Sequence, residues 1–175
     1  MTATLKTTQP FVVIAVAAAL VIAVTIAWPM VGVPLLINAT NSEPLGLYRV
    51  KTHKAREYVR GMLVVFAVPA AFERLVTDRG WMSPGWRLVK GIGAIAGDRV
   101  CVTDAAVAVN GVPIGPVAAK DTEGQRLPRY RGCEILNDNE FLPLSTHHAK
   151  SFDGRYMGPQ PLTAILGEAI PVWTF

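Results

Sequence analysis

The stretch Asn38-Ala39-Thr40-Asn41-Ser42-Glu43-Pro44-Leu45-Gly46-Leu47-Tyr48 marks the point where the chain changes character. Before it, Phe11 to Trp28 gives eighteen residues without a charge. After it, short apolar segments alternate with turn residues, the pattern of strands rather than helices. Pro44 fixes its own φ and removes a donor, and Gly46 follows, so Ser42 enters a stiff turn. A serine hydroxyl held there is a candidate nucleophile. The plainer alternative is a turn serine that only satisfies backbone groups.

Working back toward the start, the apolar character of Phe11–Trp28 persists past Pro29 and Pro34 to Ile37. At ~1.5 Å per residue, a ~30 Å hydrocarbon core takes about 20 residues. Residues 11–37 are therefore predicted to be a single transmembrane anchor, with residues 1–10 on the cytoplasmic side. A cleavable signal peptide is the rival, but its apolar region is usually only about 7–15 residues. Lys6 favours a cytoplasmic start. The cluster Arg49, Lys51, Lys54, Arg56 and Arg60 argues the other way, yet whole domains translocate largely regardless of charge. That places residues 38–175 outside the cytoplasm. From Pro29 to Thr40 the tether reaches at most roughly 40 Å, so Ser42 is expected near the bilayer, with Leu45 and Leu47 as an apolar rim.

Composition narrows the function classes. The 175 residues suffice for one domain plus an anchor, and the net charge is +4. No aromatic residues interleave the basic cluster, so it is not a nucleic-acid platform; a solvated face or contact with anionic lipid headgroups fits it. Cys101 and Cys133 have no metal-ligand spacing. They are free thiols in a reducing compartment or a disulfide outside the cytoplasm, the latter stabilising by roughly 3–4 kcal/mol.

Beyond the serine turn, strands are predicted at Gly46–Val50, Met62–Val68, Trp86–Ile92, Asp98–Thr103, Glu140–Leu144 and Ala164–Trp173. Ala70–Asp78 is predicted as a short helix, entered after Pro69 and stopped by Gly80. Asn110-Gly111 between apolar runs marks a two-residue hairpin, and Pro113 places its second arm at a sheet edge. Ala118–Arg131 is polar and aperiodic, an exposed loop. The expected fold is mostly β and largely antiparallel, preceded by one N-terminal transmembrane helix.

Two further stretches carry candidate chemistry. In Trp86-Arg87-Leu88-Val89-Lys90-Gly91-Ile92, strand alternation puts Lys90 on the face of Trp86, Leu88 and Ile92. Desolvation there would lower its pKa toward neutrality and make it a general base. A strand-end lysine that snorkels to water is the bland reading. In Ser151-Phe152-Asp153-Gly154-Arg155-Tyr156, Asp153 and Arg155 share a face in strand geometry and could pair, or simply hold a surface turn.

Together the three stretches resemble the serine/lysine signal peptidases, most closely the TraF-type peptidases of conjugative transfer. The nucleophile motif Ser-x-Pro-x-Gly-x-Tyr is met by Ser42-Glu43-Pro44-Leu45-Gly46-Leu47-Tyr48, and the base motif by Leu88-Val89-Lys90-Gly91-Ile92 with Gly97-Asp98-Arg99-Val100 after it. Ser151 to Pro159 matches the closing box. The resemblance implies a signal-peptidase-like antiparallel β domain, Ser42 as nucleophile, Lys90 as its base, and Asp153 as a member of the catalytic group. It implies oxyanion binding by Thr40 and the Ser42 N–H, orientation of Lys90 by Ser151, and an Asp153–Arg155 ion pair that fixes the closing loop. No metal or cofactor is implied. The implied substrate is a membrane-inserted precursor, either a conjugative pilin, cleaved and possibly cyclised, or an exported protein bearing a signal peptide. Gly154 departs from the box, where Ser is usual, and would loosen that turn.

Two rivals come from other classes. His147 and His148 precede Asp153 and could supply a Ser-His-Asp hydrolase, but no Gly-x-Ser-x-Gly elbow surrounds Ser42. A non-enzymatic, membrane-anchored subunit of a secretion channel would have no use for Ser42 and Lys90 together.

Overall fold

The computed structural model describes residues 9–27, 34–54 and 57–175. The chain divides into two units, Met1–Pro34 and Leu35–Phe175. In the first, α1 (Gln9–Ala27) is a 19-residue helix whose described side chains, residues 12–24, are all exposed. Among the described residues no helix is long and apolar enough to cross a membrane. Residues 1–8 and 28–33, which the cytoplasmic start and the anchor were expected to include, lie outside the described ones.

The second unit is built on two antiparallel sheets. β1 (Leu35–Asn38) and β2 (Gly46–Lys51) flank the serine turn, and β3 (Leu63–Ala67) follows. α2 (Ala70–Asp78) then leads to β4 (Arg87–Ile95). Next come β5 (Arg99–Val102), β6 (Ala106–Val109), β7 (Val112–Pro116) and β8 (Gly132–Ile135). β9 (Glu140–Leu144), α3 (Gly154–Met157), β10 (Gln160–Pro161) and β11 (Ile165–Thr174) close the order. The seven-stranded sheet runs β1-β2-β11-β3-β4-β9-β10, the four-stranded one β7-β6-β5-β8.

Why β3 reads as a continuous apolar run is now plain: it is buried on both faces. Val64 and Phe66 enter a core with Leu88, Ile92, Phe141 and Val76 of α2, while Val65 joins Tyr48, Val89 and Ala169 on the other side. A third cluster joins Val100, Val102, Val107 and Val109 of the small sheet to Leu142 and Leu144 of β9. The hairpin forms as its turn chemistry demands, with φ of 52° at Asn110 and 80° at Gly111, and β7 with Pro113 lies at a sheet edge.

Several expectations need correction. Leu35–Ile37, assigned to the anchor, instead pair with Leu47–Arg49 as part of β1. β8, β10 and α3 were not foreseen; α3 is only four residues long and its sequence has no helical period. Within residues 118–131, the isolated bridge Lys120↔Arg126 folds the loop back on itself. Cys101 and Cys133 face each other in the β5–β8 register and are joined in a disulfide.

Candidate active site

The serine turn is held by Asn38 at the end of β1. Its Nδ2 donates to the carbonyls of Thr40, Glu43 and Pro44 at 3.0–3.1 Å. Its Oδ1 accepts from the Thr40 N–H at 3.2 Å and from Thr40 Oγ1 at 2.9 Å. Tyr48 Oη donates to the Pro44 carbonyl at 2.6 Å. One side chain thus satisfies most of the turn's backbone, which leaves Ser42 half-buried with its hydroxyl free of that task. Thr40, whose own hydroxyl is directed to Asn38, lines a cavity together with Ser42.

Lys90 is 1% exposed at the middle of β4, opposite Val64 of β3. Leu88 and Ile92, two residues to either side, are core residues on the same face, whereas Trp86 is 46% exposed. Burial lowers the lysine from 10.5 to about 8. The negative charges of Asp153 and Glu43 work against that fall, and the Arg155 guanidinium adds to it. Ser42 and Lys90 both line a cavity of about 280 Å³.

Asp153 is the N-cap of α3, not a strand residue, and this is how it meets Arg155. Its Oδ1 accepts the Arg155 N–H at 3.1 Å and lies 3.5 Å from Arg155 Nε, an ion pair rather than a hydrogen bond. Its Oδ2 accepts the Ser145 N–H at 3.0 Å. Burial pushes the Asp153 carboxyl up, and the Arg155 charge and those N–H donors pull it back. Arg155, also buried, spends its other nitrogens on the carbonyls of Ala149 and Ser145 at 2.7 and 2.5 Å. Ser145 Oγ in turn donates to the carbonyl of Ser42, tying the closing box to the serine turn.

Ser151 is buried, but its hydroxyl makes no hydrogen bond, to Lys90 or to any other group. His147 and His148 are exposed, and neither lines the cavity. Gly154 does not loosen its turn. A Cβ there would sit 2.6 Å from the Pro143 carbonyl oxygen and 2.7 Å from Leu142 Cδ1, so glycine is what lets α3 press onto β9. Two participants escaped the sequence reading. Glu43, next to the nucleophile candidate, is buried, its carboxyl is raised by desolvation, and its Oε1 lacks a partner. Ser145, just past β9, was not singled out, and nothing in its immediate sequence marks it.

The signal peptidase, peptidase S26, family pattern matches residues 5–174. The chain belongs to that family. It is 38% identical over 149 residues to a conjugal transfer protein TraF of Agrobacterium fabrum (strain C58 / ATCC 33970), covering 79% of this chain and 82% of the relative. It is 35% identical over 150 residues to a plasmid transfer protein TraF of Escherichia coli, with the same coverage. Among solved structures, a signal peptidase I from Enterococcus faecalis V583 matches at TM-score 0.35 and 16% identity, covering 68% of this chain and 97% of that one.

Proposed function

We propose that this S26-family chain is a membrane-anchored serine endopeptidase that processes a membrane-inserted precursor in conjugation, a pilin being the best fit. One observation carries the reading: a fully buried lysine with its pKa lowered to about 8 lines the same cavity as the motif serine. Burying a lysine in an apolar strand face is costly, and a non-enzymatic subunit has no reason to bear that cost.

In this mechanism Ser42 Oγ attacks the scissile carbonyl as Lys90 Nζ takes its proton. The Ser42 N–H and a reoriented Thr40 hydroxyl stabilise the oxyanion. The lysine returns the proton to the leaving amine, and an acyl-enzyme remains. Water or the amino terminus of the same pilin then resolves it, giving a linear or a circular product. Asp153 holds Lys90 electrostatically and Arg155 locks the loop that carries Asp153. Ser151 lies free to orient the ammonium form.

The anchor belongs to the same proposal. The uncharged run Phe11–Trp28 supplies the length, and α1 is apolar and exposed on every described side, which suits lipid. The Cys101–Cys133 disulfide favours an oxidising compartment, hence the periplasm. Ile37, Trp173 and Phe175, all exposed, extend the rim that Leu47 begins, since Leu47 pairs with both Ile37 and Trp173. Such a rim suits a lipid surface.

The deciding experiment co-expresses the chain with a pilin precursor and reads the products by mass spectrometry. Cleavage that vanishes in Ser42→Ala and Lys90→Arg is expected, and a product lighter by one water reports ring closure. An uncut precursor, or cutting that survives Ser42→Ala, overturns the reading.

A further inference from the structure

We propose that Ser145 is a positioning residue for the reaction, its hydroxyl holding the peptide unit of Ser42 so that the nucleophile stays aimed at Lys90; this rests on the peptidase reading above. The serine turn has a gap in its own bonding. Asn38 donates to the carbonyls of Thr40, Glu43 and Pro44, and Tyr48 Oη donates to that of Pro44 as well. None of these bonds reaches the carbonyl of Ser42. The donor that does is the hydroxyl of Ser145, 103 residues further along the chain.

Ser145 is itself held firmly enough to serve as an anchor. It is fully buried, and each of its polar groups is engaged. Its N–H donates to Asp153 Oδ2 at 3.0 Å, and its carbonyl accepts from the Arg155 guanidinium at 2.5 Å. Its Oγ accepts the His148 N–H at 3.3 Å while donating to Ser42. Leu144, the residue before it, pairs in β9 with Gly91, the residue after Lys90. The tether therefore starts beside the base and ends on the backbone of the nucleophile.

A peptide unit is planar, so fixing its carbonyl fixes the whole plane and with it the ψ of Ser42. On the other side of the serine, Asn38 Oδ1 holds the Thr40 N–H at 3.2 Å. Bracketed in this way, the Cα–Cβ bond of Ser42 keeps one direction, and its Oγ has only a rotamer to choose. Removing the Ser145 hydroxyl leaves the Ser42 carbonyl without that partner and lets the plane rotate. A displacement of about 1 Å in a reacting group costs on the order of a hundredfold in rate.

The test measures kcat and KM of the full chain in detergent micelles on a purified pilin precursor, for the unaltered chain, Ser145→Ala and Val107→Ala. Hydrogen exchange in peptides covering residues 38–48 is followed by mass spectrometry on the same samples. Ser145→Ala should lower kcat at least about tenfold, keep KM within about twofold and speed exchange in residues 38–48. The acid limb of its pH profile should move less than that of Asp153→Asn, which acts on Lys90 by charge. Val107→Ala weakens the core of the small sheet, far in sequence from the three motifs, and should keep kcat at a temperature where it stays folded. Melting temperatures verify folding, and if Ser145→Ala does not fold, Ser145→Cys, with its weaker donor, decides in its place. An undiminished kcat in the folded Ser145 variant, a loss confined to KM, or an equal loss in Val107→Ala overturns the positioning role. If the unaltered chain cuts nothing, or cuts no better than Ser42→Ala, the peptidase reading falls and exchange alone decides. Faster exchange confined to residues 38–48 then keeps Ser145 as the holder of the turn, and unchanged exchange removes that as well.

Discussion

The N–H of Ser145 donates to Asp153 Oδ2 at 3.0 Å, while the hydroxyl of the same serine donates to the Ser42 carbonyl. Asp153 therefore reaches the serine turn through one intermediary, and reaches Lys90 through its charge.

Asp153→Asn keeps the shape and removes that charge. Arg155, already buried, then lacks its counter-ion, and stability should fall by about 3 kcal/mol in chemical denaturation. Lys90 loses the strongest influence that raises it, so its pKa drops further. The acid limb of kcat/KM should move to lower pH, and Glu43→Gln should move it the same way by less, since Glu43 raises Lys90 less strongly than Asp153 does. A limb that stays in place in both variants would show that these carboxylates do not set the lysine.

Peptidase activity should rise with pH and level off above about 8, where Lys90 is the free amine. The same shift governs stability. Below about pH 8 folded and unfolded chains both hold the proton, and burying the charge costs about 3 kcal/mol. Between about 8 and 10.5 the unfolded chain binds the proton more, so this contribution makes stability rise with pH. Lys90→Met should thus be inactive yet more stable at pH 7, by about 1–3 kcal/mol. A destabilised Lys90→Met in urea titrations would count against the burial cost.

Gly154→Ser restores the residue usual in the family box and should harm this chain. The added Cβ meets the Pro143 carbonyl and Leu142 at 2.6–2.7 Å, so α3 must lift from β9. A loss of about 1–3 kcal/mol is expected, with reduced activity because Asp153 caps that helix. Unchanged melting and activity would show that β9 gives way freely.

Reduction should matter to the fold. Cys101 and Cys133 are 32 residues apart, and releasing them frees a loop worth about 3–4 kcal/mol in the chain-entropy picture. Denaturation with and without a reductant, alongside the Cys101→Ser/Cys133→Ser double variant, measures it. Reductant should have no effect on the double variant.

Local rules carried much of the fold. α2 occupies Ala70–Asp78 and β9 occupies Glu140–Leu144, the ranges their flanking prolines, glycines and apolar pattern predict. The Asn110-Gly111 turn was legible because both residues need positive φ. Elements that depend on distant partners were not legible. β1 is four residues at the end of an apolar run and is defined only by pairing with β2. α3 forms because Asp153 caps it and Gly154 fits under β9, neither of which is a periodic signal. Within the site, the motifs pointed to Ser42, Lys90, Asp153 and Arg155, but the burial of Glu43 and the bridging by Ser145 arise only when β9 and the serine turn meet.

The place of β11 makes it the staple of the candidate site. This strand lies between β2 and β3, and the N–H of Phe175 donates to the carbonyl of Leu45 within the serine motif. Without it β2 and β3 have no common partner, and the β1-β2 pair is severed from β3, β4, β9 and β10. Ser42 stands just before β2 and Lys90 lies on β4, so the two candidate residues sit on opposite sides of that seam, and a strand that supplies neither of them keeps both in one sheet.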